Sequence, residues 1–266
     1  MSNNLQSLYE RKYYSSVKNL ADWFFHEKSE IFSLSTAPVD WKFRADAAWY
    51  LSDFQSATEL YQQMISLTTN TYVISLKPEL ENRIREYEKN LVQTRKPISC
   101  EDERLRPIME RLSFVFNRIS LPVFIRVAKD EADYERFFTE TFPNQTLVAY
   151  DSFQACGFYY DPTRYWLIFK QDVIDRFSSD DALLGMSAHE MAHLELRSLL
   201  LDQLFVNNAN NTLRLDFSIE ERMTDLYVMS KGLAYPLYCS RQMVKAGPAV
   251  LSAEELKIYF ESLQRV

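Results

Sequence analysis

The sequence predicts an α+β chain that is mostly α, with a helical module over residues 1–96 and an α+β domain over residues 97–266. Three observations predict it. Apolar residues recur at helical spacing over most of the length. Only four of the 266 residues are glycine, which argues against a fold dominated by strands and tight turns. Short runs of branched and aromatic residues, the mark of strands, are confined to residues 122–169. Hydrophobic residues make up 47% of the chain, enough for a continuous core.

In the first part, Leu5, Leu8, Tyr9, Tyr13, Val17, Leu20 and Phe24 share a helical face, as do Phe43, Ala47, Tyr50, Leu51, Phe54, Ala57, Leu60 and Met64. A third helix is expected from Pro78 to Lys96, with proline in its first turn. Pro97, Cys100, Glu101, Asp102, Glu103 and Pro107 form a polar, proline-flanked boundary and are read as a linker, followed by a helix to Arg118. Strands are expected at Pro122–Val127, Gln145–Tyr150, Gly157–Tyr160 and Tyr165–Phe169, forming a small, mostly antiparallel sheet interrupted by a helix at 130–138. From Gln171 the pattern is helical again. Ser178 and Asp181 have the spacing of a capping box for a long helix reaching Phe205. An asparagine-rich loop at 206–216 and a helix from Ser218 to Lys231 follow, with Gly232 suited to its left-handed cap. Helices at 236–246 and 252–263 end the pattern.

The net charge of −7, with no basic stripe, excludes nucleic acid as an expected partner. Cys100, Cys156 and Cys239 are few and far apart, so neither a disulfide framework nor a cysteine zinc site is expected. No uncharged apolar run reaches the ~18 residues of a membrane span, and Met1-Ser2-Asn3-Asn4 has no signal-peptide character. The expectation is a cytoplasmic protein without a membrane partner.

Two of the chain's three histidines lie in His189-Glu190-Met191-Ala192-His193. This H-E-x-x-H spacing places both imidazoles on one helical face, where their nitrogens can converge on one metal ion. Glu190, beside the first ligand, is placed to act as a general base. A hydrolytic zinc site takes three protein ligands and keeps one position open. Glu221 and Asp225, spaced i, i+4 on the next helix, supply the candidates: Glu221 as third ligand, Asp225 as hydrogen-bond partner of one imidazole. Glu220 competes for the ligand position but has Thr224 four residues on. His26 is remote from the motif and is read as a surface or core residue. Tyr235, Tyr238 and Arg241 form the pool for a second oxyanion donor, and Tyr165–Phe169 is a candidate edge strand for an extended substrate.

H-E-x-x-H followed by E-x-x-x-D resembles the gluzincin metallopeptidases, nearest the family of the CAAX prenyl protease and the HtpX-like and BepA-like peptidases. The flanks Gln171–Leu184 and Ile219–Asp225 are similar too, with Thr224 where that family has alanine. The resemblance, over about residues 100–250, implies a zincin-type domain. It implies one zinc ion at His189, His193 and Glu221, Glu190 as catalytic acid/base, Asp225 orienting a histidine, and a protein or peptide substrate. Ala48–Tyr61 resembles the middle of a tetratricopeptide repeat, with a weaker copy at Tyr9–Val17 offset by 40 residues. That implies a module recruiting substrate or a protein partner. The alternative is a helical adaptor carrying a latent peptidase-like domain.

Overall fold

A computed structural model describes residues 2–67, 69–94, 98–152, 156–161, 163–204, 217–244 and 249–265. The chain opens with two helix pairs, α1 (Ser2–Glu10) with α2 (Tyr14–Glu27) and α3 (Pro38–Tyr50) with α4 (Phe54–Ile65). The pairs turn identically. Lys12 and Ser52, 40 residues apart, have φ of 62° and 64°. In each turn the next amide reaches back five residues, Tyr13 N to Leu8 O (3.0 Å) and Asp53 N to Ala48 O (2.9 Å). These are Schellman turns made without glycine. The 40-residue offset read from the sequence is therefore matched by the backbone. Buried Asp46 on α3 accepts hydrogen bonds from Tyr9 of α1 and Tyr61 of α4, each at 2.8 Å.

Helix α5 (Thr71–Thr94) starts earlier than expected, so Pro78 lies inside it rather than in its first turn. Val73 is buried with α3 and α4, and that packing extends the helix upstream of the proline. The expected linker is also partly structured. Ile98–Cys100 forms β1, and Asp102 Oδ1 accepts from Leu105 N (2.8 Å) at the start of α6 (Leu105–Val115).

Next come β2 (Val123–Ala128), α7 (Glu131–Thr141), a 3-10 turn at Tyr150–Ser152, β3 (Cys156–Asp161) and β4 (Arg164–Lys170). The strand expected at Gln145–Tyr150 is absent; 145–149 is irregular and leads into the turn. The sheet order is β1-β2-β4-β3. Pairs β1–β2 and β2–β4 are parallel and only β3–β4 is antiparallel, which corrects the expectation of a mostly antiparallel sheet. Helices α6 and α7 provide the crossovers that parallel neighbours require. Strand β4 is interior, paired on both sides, so Tyr165–Phe169 is not an edge strand. Its Tyr165, Leu167 and Phe169 enter the main core, while Ile168 packs with α7 on the opposite face.

The remaining helices are α8 (Gln171–Arg176), α9 (Asp180–Leu204), α10 (Phe217–Ser230), α11 (Ala234–Met243) and α12 (Ala253–Leu263). Ser179, not Ser178, caps α9, its Oγ accepting from Ala182 N at 3.2 Å. The expected loop at 206–216 lies outside the described residues. Gly232 has φ 75° and ends α10 in a third Schellman turn, as expected. The main core joins α1 and α2 to the sheet and to α9–α12, continuing across the boundary expected at 96/97. Across that line, Asn19 of α2 donates to Met229 O (2.9 Å) and accepts from Ala234 N (3.0 Å), and buried Lys18 donates to Gly232 O (2.9 Å).

Gly185 brings α9 against α11: a Cβ there would collide with the Pro236 carbonyl. Gly185→Ala should destabilise the fold by about 2–3 kcal/mol, overpacking outweighing the gain in helix propensity. Urea denaturation measures this. Buried Asp53 accepts both guanidinium hydrogen bonds of Arg111, at 2.8 and 2.7 Å, with Lys18 Nζ at 3.5 Å. Burial pushes its pKa up, but Arg111 and Lys18 outweigh this and hold it below the ordinary value. Asp53→Asn should cost about 3 kcal/mol at neutral pH. A depressed carboxylate stabilises above the unfolded value of about 3.9 and loses that contribution as pH falls through the folded value. The gap between the natural chain and Asp53→Asn should therefore narrow below about pH 4.

Candidate metal centre

Helices α9 and α10 carry the expected ligands, and other residues fix their separation. Glu195 of α9, fully buried, accepts from Tyr227 Oη (2.8 Å) and lies 3.0 Å from Lys231 Nζ, joining α9 to the far end of α10. It also accepts from Arg118 N at 2.6 Å. In this frame His189, His193 and Glu221 converge, and they are the group of side chains among the described residues placed to share a metal ion.

The separations have the scale of a coordination shell. His189 Nε2 and His193 Nε2 are 3.1 Å apart. Glu221 Oε2 is 3.0 Å from the first and Glu221 Oε1 3.3 Å from the second. Donors about 2.0–2.1 Å from one tetrahedral ion stand about 3.3 Å from each other.

The remaining ring nitrogens explain the orientation. His189 Nδ1 lies 2.8 Å from Asp225 Oδ1. Asp225 is fully buried and also accepts from Arg241 Nη2 (2.9 Å) and from Leu251 N (2.7 Å). A carboxylate accepts only, so Nδ1 of His189 carries a proton, and deprotonation of the ring for metal binding leaves the lone pair on Nε2. On His193, Nδ1 lies 3.3 Å from Thr224 Oγ1. That hydroxyl donates its own proton to Glu220 O (2.8 Å), so it accepts from the ring. Both Nε2 atoms then face one point beside the Glu221 carboxylate. Two imidazole nitrogens and one carboxylate oxygen are borderline donors of the kind zinc takes, so the residues fit that ion.

The electrostatics follow from this convergence. Burial lowers the pKa of His189, but hydrogen bonds to Asp225 and Glu221 outweigh it and raise it. His193 is likewise pulled down by burial and pushed up to about 10 by Glu220 and Glu221. Burial raises Glu221, yet the two imidazoles hold it far below the usual carboxylate range. Burial pushes Glu190 upward, against the pull of His189 and His193. Among the described residues the Glu190 carboxylate accepts no hydrogen bond.

The structure thus gathers His189, His193, Glu221 and Asp225 as the sequence led us to expect. Glu220 stands on the Nδ1 side of His193, 3.6 Å away, near Arg197 rather than among the converging atoms. The other expected residues are engaged elsewhere. Tyr235 stacks on His26 at 4.3 Å, Tyr238 packs on Trp23 and Phe260, and Arg241 is bound to Asp225. Sequence reading missed Thr224 as the partner of His193, Arg241 as the partner of Asp225, and the Leu251 amide. A helical register places Thr224 beside Glu221, but a backbone amide 26 residues from its acceptor leaves no pattern in a sequence.

In comparisons with protein-family models, curated proteins and solved structures, none matches this chain.

Asp225→Ala frees the His189 ring and leaves Arg241 without its carboxylate. Zinc affinity should fall about 10- to 100-fold, read by competition with a colorimetric chelator on folded protein. Unchanged affinity would show that Asp225 does not set the ring.

Proposed function

We propose that this chain is a zinc-dependent endopeptidase, with His189, His193 and Glu221 holding one zinc ion and Glu190 serving as general base and acid. The observation that carries this reading is the pairing of two imidazole Nε2 atoms, 3.1 Å apart beside Glu221, with an adjacent carboxylate that accepts no hydrogen bond from a described residue. A purely structural histidine pair has no need of an uncommitted neighbouring acid. The order H-E-x-x-H then E-x-x-x-D supports the same reading by its resemblance to the gluzincins.

Bound zinc supplies Lewis-acid polarisation of the scissile carbonyl and a water acidic enough to attack at neutral pH. The protein does the rest. Asp225 and Thr224 hold the two rings with Nε2 forward. Glu190 takes a proton from the attacking water and returns it to the departing amine nitrogen, so the carboxylate is unchanged over a turnover. The substrate is a protein or peptide, and the helix pairs α1–α2 and α3–α4 are the candidate surface for recruiting it or a partner protein. No described helix is long and apolar enough to cross a membrane. With Cys100 and Cys239 unpaired, a cytoplasmic setting accompanies the proposal.

Glu190→Gln is close to isosteric and leaves the three ligands in place. It should retain the metal and lower cleavage by at least about 100-fold. The test compares new protein termini generated in a proteome digest by the natural chain and by this variant. Equal sets of termini would remove Glu190 from the chemistry.

A further inference from the structure

A second polar site lies away from the metal centre, where α2, α3, α4 and α6 meet the start of α9 and the start of α11. A cavity of about 200 Å³ opens there, lined by Asp22, Arg44, Gln63, Arg111, Asp181 and Tyr235 among others. Its inner wall is a buried ion cluster. Lys18 Nζ is 2.8 Å from Asp22 and 3.5 Å from Asp53. Arg44 Nε is 2.6 Å from Asp22, and Arg111 binds Asp53 through Nε and Nη2. The cluster holds three cations and two carboxylates, leaving one positive charge uncompensated within it.

Donors also remain unspent. Arg44 bonds only through Nε, so neither of its terminal nitrogens has a partner among the described residues, and Nη1 of Arg111 has none. None of these nitrogens is sealed from solvent by protein. The Arg44 guanidinium rests against an edge-to-face ring pair, 5.1 Å from Phe25 and 5.7 Å from Trp41. A planar fork anchored at Nε, with its outer edge open, is suited to bidentate binding of an oxyanion. Negative groups stand at the rim: Glu59, which lines the cavity, is exposed, and the Asp181 side chain is 43% exposed beside His26. Hydration screens their charge, whereas the ion cluster, with Lys18, Asp22 and Asp53 buried and Arg44 and Arg111 only partly exposed, is screened less.

We propose that this cavity binds a small oxyanion, the phosphate or carboxylate group of a ligand, on Arg44 and Arg111. The site joins the first helices to α9 and α11, so occupancy stabilises that junction. It stands independently of the peptidase reading.

The test titrates the full chain with inorganic phosphate, against chloride at matched ionic strength, by calorimetry. Acetate in parallel separates a carboxylate preference from a phosphate preference. Phosphate stabilises proteins generally by exclusion, so saturation is the criterion. The expected result is saturable binding of phosphate or acetate. Arg44→Lys, which keeps the charge and loses the fork, should weaken it about tenfold. Glu59→Gln, on the exposed rim, should tighten it about threefold by removing a repelling charge. Absence of saturation with both anions, or equal affinity in Arg44→Lys and the natural chain, overturns the proposal. Should Arg44→Lys fail to fold, Glu59→Gln decides it, and unchanged affinity there overturns it as well.

Discussion

Everything about the candidate metal centre depends on how one fully buried carboxylate, Asp225, is compensated. An ionised carboxylate out of water is expensive unless its oxygens are filled. Asp225 fills them from three directions: the His189 ring of α9, Arg241 of α11, and the Leu251 amide just before α12. One side chain of α10 therefore fixes the position of three neighbouring segments. It also fixes the tautomer of His189. The same contacts that make burial of Asp225 tolerable turn a lone pair toward His193 and Glu221.

The surroundings keep α9 and α10 from relaxing apart. Glu195, with Tyr227 and Lys231, repeats the device at the far end of α10. Gly185 lets α11 lie close against α9, which carries Arg241 to Asp225. The turn between α10 and α11 is held by Asn19 and Lys18 of α2. The first helices are thus part of the support of the site, and they bring with them the buried charges that line the second cavity.

Much of this was legible from residue pattern. The convergence of the candidate ligands was, because i, i+4 spacing on a helix converts sequence distance directly into a shared face. The helix pairs were too, including their 40-residue offset, because Tyr14 and Val17 repeat the positions of Phe54 and Ala57, and Lys12 and Ser52 occupy equivalent turns. What failed was long-range. The parallel pairing of β2 with β4 cannot be read from alternation, which is the same for either direction. Strand β1 is three residues long inside a polar stretch and gives no local signal. Pro78 misled because tertiary packing of Val73 extended α5 upstream of it. Thr224 looked like a departure from a family pattern and proves to be the hydrogen-bond partner of His193.

Metal analysis of the purified full chain tests most directly whether His189, His193 and Glu221 share one ion. About one zinc ion should be bound per chain and be lost in His193→Ala, and chelation should lower the melting temperature of the natural chain alone. A chain that purifies without zinc, takes none up, and melts identically with and without chelator would contradict the assignment.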